Sequence, residues 1–322
     1  MTAADLEIRP ATLDDAATAA DIDTEAHPED PEDPQLTRHW WSMAAPDDVT
    51  DRRLALLDGT PVGYATREHP AWSKMPERFT SVGAELRPPY RTAQRLDALY
   101  ALVEEAARAD ATQKVTAWAW EYDELAIGVL NARGYREERR ERFWELDLVE
   151  GRERITTMAA ESRDRMRREG ITVLTLAQDD DPARFEKLKR MSDEAGSDVP
   201  TSEPFVPLEM REFMEWFESP GLRADRIWLA REGDDIIGIS QLSYPPVRGV
   251  VSTDWTGMAR KARGRGIARA LKCETLIQAI GLGVDHVRTD NDSKNAPILH
   301  LNETMGYRRR PDMIQLLKML AV

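Results

Sequence analysis

Thr253-Asp-Trp-Thr-Gly-Met-Ala-Arg-Lys-Ala-Arg-Gly-Arg-Gly-Ile-Ala-Arg-Ala-Leu-Lys272 is the most informative stretch of this sequence. A strand ends near Met258, and a loop holding Arg263, Gly264, Arg265 and Gly266 leads directly into a helix. Glycines in such a loop let a backbone approach a ligand without Cβ clashes. The first N–H groups of a helix lack intrahelical partners and carry the positive end of its dipole. The loop therefore predicts an anion site suited to a pyrophosphate. Arg260, Lys261, Arg263 and Arg265 add positive charge around it. The run matches neither the phosphate loop of nucleotide hydrolases nor the glycine fingerprint of dinucleotide folds.

Working outward, the chain repeats itself. Leu6–Asp15 and Ile171–Asp180 each read as a strand followed by an acidic helix start. A hairpin comes next in each half, turning at Asp58-Gly59 and at Gly233-Asp234 between apolar runs. Gly63 and Gly238 lie 175 residues apart, while Arg91 and Arg263, like Gly134-Tyr135 and Gly306-Tyr307, lie 172 apart. Four features in one order at nearly one offset indicate a duplicated unit. Each half reads as strand, helices, hairpin, strand, long helix, strand, helix, strand. Leu96, Leu99, Tyr100, Val103 and Ala107 form one apolar helix face in half one. Ile267, Ala270, Leu271, Cys273, Leu276, Ile277 and Ile280 form its counterpart, which makes Cys273 a buried filler. The strand–helix–strand order implies a locally parallel strand pair in each half. The charged segment 150–170 reads as a solvated linker helix stopped by Gly170.

The composition narrows the function. The chain has 322 residues and a net charge of −14, with 44 Lys and Arg against 58 Asp and Glu. It is long enough for two domains and too acidic for a general binder of nucleic acid or anionic membrane. No apolar run reaches the length of a bilayer span, and no signal peptide is visible, so a soluble cytoplasmic protein is expected. The single Cys273 excludes an internal disulfide framework, and the five histidines show no ligand spacing, so no metal is expected.

Arg263-Gly-Arg-Gly-Ile-Ala268 resembles the acetyl-CoA signature of the GNAT N-acetyltransferases, an Arg or Gln, two residues, Gly, one residue, and Gly or Ala. The resemblance continues through Leu271-Lys272 and into Thr289-Asp-Asn-Asp-Ser-Lys-Asn-Ala-Pro-Ile-Leu-His-Leu-Asn-Glu-Thr-Met-Gly-Tyr307. It implies an α/β (α+β) chain of two GNAT-like domains, each with a mixed, mostly antiparallel sheet, a central parallel strand pair and flanking helices. Their expected bounds are 1–149, without a CoA loop, and 171–322, with one, around the linker 150–170.

The resemblance also implies roles. The amides of Arg263, Gly264, Arg265, Gly266, Ile267 and Ala268 would cradle the CoA pyrophosphate. The backbone of Thr256, Gly257 and Met258 would pair with the pantetheine arm, and Asn291 and Asn295 would touch CoA. Many members place a tyrosine where Asn302 stands, to protonate the departing thiolate. Asparagine cannot act as an acid at neutral pH, though it can hydrogen-bond the sulfur. Asp254, on the strand leading to the loop, is the candidate base, with Glu203 and Glu209 as alternatives; it also reads as a plain surface carboxylate. Trp255, Tyr244, Phe205 and Trp216 are candidates for pocket walls or for core. In half one Gln94, Thr92 and Leu96 replace Gly266, Gly264 and Ala268, and Leu130 holds the tyrosine place, which implies lost CoA binding.

The expected activity is acyl transfer from acetyl-CoA to a primary amine of a small molecule, by direct attack on the thioester, in a monomer or homodimer. A protein N-acetyltransferase and a non-catalytic acyl-CoA or small-ligand module are the alternatives.

Overall fold

The structure, a computed structural model, describes residues 2–3, 5–43 and 47–320. Half one comprises β1 (Thr2–Ala3), β2 (Leu6–Pro10), α1 (Ala16–Ala26), α2 (Pro34–Ser42), β3 (Val49–Leu57), β4 (Thr60–His69), β5 (Phe79–Leu86), α3 (Ala93–Ala109), β6 (Lys114–Trp120), α4 (Glu124–Ala132) and β7 (Arg136–Asp147). After α5 (Arg152–Arg168), half two comprises β8 (Thr172–Thr175), α6 (Arg184–Gly196), α7 (Met210–Phe217), β9 (Ile227–Glu232), β10 (Asp235–Ser243), β11 (Ser252–Met258), α8 (Ile267–Gly281), β12 (His286–Asp292), α9 (Ala296–Met305), β13 (Arg308–Arg309) and β14 (Met313–Met319).

The duplication is visible in the local chemistry. Asp58 and Gly59 both adopt positive φ, 50° and 75°, the geometry of a type I′ hairpin turn. A Cβ on Gly63 would collide with Glu85 and Leu86 of β5, and one on Gly238 would collide with Met258 of β11. The two glycines thus serve the same close strand approach. Leu96, Leu99, Tyr100, Val103 and Ala107 are all buried on α3. On α8 the buried face includes Ile267, Ala270, Leu271, Cys273 and Leu276. Burial pushes the Cys273 thiol up to about 11, which keeps it inert.

The strands form one continuous sheet in the order β1-β2-β3-β4-β5-β6-β14-β7-β12-β11-β10-β9-β8, with β13 beside β7. Among the described residues, parallel pairing occurs only between β5 and β6 and between β11 and β12, as the fold class anticipates. The two halves exchange their last strands. β7 of half one lies antiparallel to β12, and β14 of half two lies between β6 and β7. Each half therefore completes the sheet of the other. The segment 150–170 is a helix and ends at Gly170 with φ 70°, but it is not the solvated linker expected. Ile155, Met158, Ala159, Ser162 and Met166 are buried, a full apolar stripe packed on the α8 side of the sheet.

Candidate active site

β11 and β12 diverge. Their only register pair is Ser252 with Arg288, so from Thr253 to Met258 the inner edge of β11 has no neighbouring strand. The gap opens into a cleft of about 1180 Å³ that runs from the start of α8 to the ends of β12 and α9.

The upper end of the cleft is the glycine loop. Gly264 and Gly266 have φ of 74° and 78°, the left-handed region that disfavours any residue with a Cβ. Gly266 is the N-cap of α8 and offers no side chain to the first amides. Ala270 closes the first helical bond, to the Gly266 carbonyl at 3.1 Å, so the amides ahead of it are left for a ligand. Arg263, Gly264, Gly266, Ile267 and Ala268 line the cleft. Arg265 instead turns to Glu169 and Glu232, at 3.3 and 2.8 Å. Arg165 of α5 also lines the cleft, and a Cβ on Gly266 would meet its guanidinium at 2.8 Å. The sequence reading missed this arginine because it placed α5 in a linker.

The same position in half one is closed. Thr92 caps α3 through its own hydroxyl, accepting from the Arg95 amide. Arg91, the counterpart of Arg263, points inward and pairs with Glu85 at 2.7 Å and with Asp123. Leu130 is fully buried. Trp118 and Trp120 line a smaller cavity of about 340 Å³ there, so their aromatic bulk is only partly core.

Thr256, Gly257, Met258, Asn291 and Asn295 all line the cleft. So does Asp254, which accepts from Gln241 Nε2 at 2.6 Å. Burial pushes its carboxyl up, against hydrogen bonds from Gln241 and Trp216, and Asp290 adds like charge. Asn302 is fully buried, and its amide donates to Asn291 Oδ1 at 2.7 Å. It braces Asn291 from behind and is not part of the cleft wall. Glu203 is tied to β6 and β14, accepting from Thr116 at 2.8 Å and Gln315 at 3.2 Å. Glu209 belongs to the capping box at the start of α7. Neither lines the cleft, whereas Phe205 and Trp255 do and Tyr244 and Trp216 do not.

Among the cleft residues that the sequence reading did not single out are Arg139, Glu141, Asp290 and Lys272. Arg139 and Glu141 come from half one on the exchanged strand β7, where Glu141 lies opposite Asp292. Burial and the nearby Asp290 and Asp292 raise Glu141 to about 7, with Arg139 pulling it down. Burial also pushes Asp290 up, with Lys272 and Arg139 pulling the other way. Three carboxylates with raised proton affinity, Asp254, Asp290 and Glu141, thus meet beside the strand gap. Such groups can hold a cationic amine and accept its proton.

No protein-family model matches the sequence, and no curated protein is similar to it. Solved structures are. A tandem GNAT protein from the clavulanic acid biosynthesis pathway superimposes with a TM-score of 0.74 over 98% of this chain and 99% of its own, at 15% identity. The fold is a tandem GNAT fold. A GCN5-related N-acetyltransferase from Sphaerobacter thermophilus superimposes with a TM-score of 0.67 over 99% of this chain and 97% of its own, at 19% identity. Both superpositions extend over the two halves of this chain. Among the described residues no helix is long and apolar enough to cross a membrane.

Proposed function

We propose that the chain is an acyl-CoA-dependent N-acyltransferase that moves an acetyl group onto a primary amine of a small molecule. The observation that carries this reading is the unpaired edge of β11, which runs from the open end of α8 down to three carboxylates. An extended, amide-bearing arm can add to such an edge as a strand would, while its pyrophosphate meets the free amides of Gly264–Ala268. Asn291 and Asn295 supply polar contacts along the opposite wall. The thioester then lies in the strand gap, beside Asp254.

There the amine attacks the thioester carbon directly, and Asp254 takes its proton. Asp290 and Glu141 line the same part of the cleft and offer carboxyl oxygens to a cationic amine. No cysteine takes part, because Cys273 is buried on α8. The small acceptor is favoured by the walls: Arg139 and Glu141 from half one and Phe205 after α6 narrow the cleft on the amine side. The reading also makes the protein a cytoplasmic enzyme with no nucleic-acid or membrane partner, acting as a monomer or homodimer. Thiol release from acetyl-CoA, followed across a panel of amino sugars, amino acids and polyamines, tests it. Amine-dependent release supports the reading, whereas tight CoA binding without release on any amine points to a ligand-sensing module. Release only with peptide amines moves the acceptor to protein.

A further inference from the structure

Asn302 leaves the departing thiolate without an acid, and the cleft contains a group that fits the task. Lys272 is the sixth residue of α8, about 9 Å down the helix axis from Gly266 at 1.5 Å per residue. It is 2% exposed, it lines the cleft, and its Nζ has no hydrogen-bond partner. A buried ammonium with no acceptor is costly, so a fold that keeps one in a substrate cleft uses it there. Its Nζ lies 5.2 Å from the centroid of the Tyr307 ring. Thr253 Oγ1 and Tyr307 Oη are buried and unpartnered as well.

We propose that Lys272 is the general acid of the reaction, giving a proton to the departing CoA thiolate. The proposal rests on the acyl-transfer reading above. As the C–S bond breaks, its electron pair stays on sulfur, and the sulfur takes a proton from Lys272 Nζ. The lysine is left as a neutral amine. Asp254 meanwhile holds the proton of the attacking amine. Exchange with water resets both groups: Asp254 gives up its proton and Lys272 regains one, and an acceptor that enters as an ammonium releases one further proton to solvent. Asp290 lines the same cleft and favours the charged form of Lys272.

The energetics suit the transfer. Burial lowers Lys272 to about 8, against the pull of Asp290 and Cys273. A free cysteine thiol titrates near 8.5, so a thiol and Lys272 have comparable proton affinity. The titratable and charged groups facing Lys272 are Asp290 on β12, Tyr307 after α9 and Cys273 on its own helix. Arg163 of α5, which packs on α8, is paired with Glu274 at 2.7 Å instead.

The test uses Lys272→Met, which keeps the length of the chain, and Lys272→Arg, which keeps the charge but cannot release a proton. Both variants are expected to lose about a hundred- to ten-thousand-fold in kcat with KM for acetyl-CoA within a few-fold. The decline of kcat as pH rises through about 8 should vanish in both. A second reading needs no acceptor: the thiolate ultraviolet absorbance of bound CoA, titrated against pH. The wild-type protein should ionise the bound thiol below the value of free CoA, and Lys272→Met should return it to that value. A folded Lys272→Met with near-normal kcat and pH profile overturns the proposal, as does a bound thiol that titrates alike in both proteins. If the wild type releases no thiol with glucosamine, lysine or spermidine while the thiolate shift is present, the acyl-transfer reading fails and the Lys272–thiolate contact stands.

Discussion

Gly266→Gln replaces the glycine of the working loop with the residue that half one has at the same place. The sequence alone predicts a tolerated change, since a helix start accepts Gln. The structure predicts two separate losses. The φ of 78° at Gly266 makes any L-residue strained there, by roughly 1–2 kcal/mol. That should lower Tm by a few degrees and leave the fold intact. The new side chain also occupies the space before the first helical amides, where its Cβ would already press on the Arg165 guanidinium at 2.8 Å. That guanidinium ends a flexible chain and can swing away, so the contact adds little strain. The displaced ligand cannot adjust so easily. A hydrogen bond from an amide to a charged phosphate contributes about 1.5–3 kcal/mol. Losing one such bond weakens CoA binding roughly ten- to a hundredfold, and losing two weakens it far more. Gly283→Ala is the control: its φ is 80°, nothing lies within 4 Å of the added Cβ, and it is at the far end of α8. Calorimetry with CoA and thermal melts on both variants separate the effects. The two should lose similar stability, and only Gly266→Gln should lose CoA affinity. Equal CoA affinity in the two folded variants would refute the placement of the pyrophosphate.

Asp254→Asn should lower turnover about a hundred- to ten-thousand-fold while CoA affinity stays nearly constant. Because burial raises the Asp254 carboxyl, the wild-type rate should climb with pH above the ordinary carboxylate range, and this limb should be missing from the variant. Glu141→Gln should stabilise the protein at pH 8 and leave it unchanged at pH 4. Glu141 holds its proton to about 7 in the folded chain and to about 4.5 when unfolded. Between those values the folded state binds more protons, so wild-type stability falls as pH rises, and the Gln variant escapes that fall. Melts of both proteins across this range measure it; parallel curves would contradict the burial of Glu141.

The parts of the site that were legible in the sequence are those with local causes. Gly264 and Gly266 mark a left-handed turn, and the arginines and the following apolar face mark a helix start, all within one short run. The repeat was legible because equal offsets survive wherever the halves dock. Strand exchange was not, since β7 and β14 have the same pattern whichever sheet they join, and only long-range pairing decides. Arg139 and Glu141 enter the cleft by that exchange and so carried no local mark. The burial of α5 hid behind its charge, although Ile155, Met158, Ala159, Ser162 and Met166 follow helical spacing. Ala159 and Ser162 are small enough to pass for surface residues. Glu203 and Glu209 read as bases by residue type alone; the fold uses one as an anchor between halves and the other as a helix cap. Lys272 lies within the quoted run, but a lysine on a helix reads as solvated until its neighbours are known.

The most direct test of the account is the stoichiometry of CoA binding to the full chain. The open end of α8 and the closed end of α3, sealed by Arg91 with Glu85 and Asp123, predict one CoA per chain. That single site should weaken at least roughly tenfold in Gly266→Gln and persist unchanged in Arg91→Ala. Titration calorimetry reads this without knowledge of the acceptor. Two sites per chain, or one site of unchanged affinity in Gly266→Gln, would contradict it.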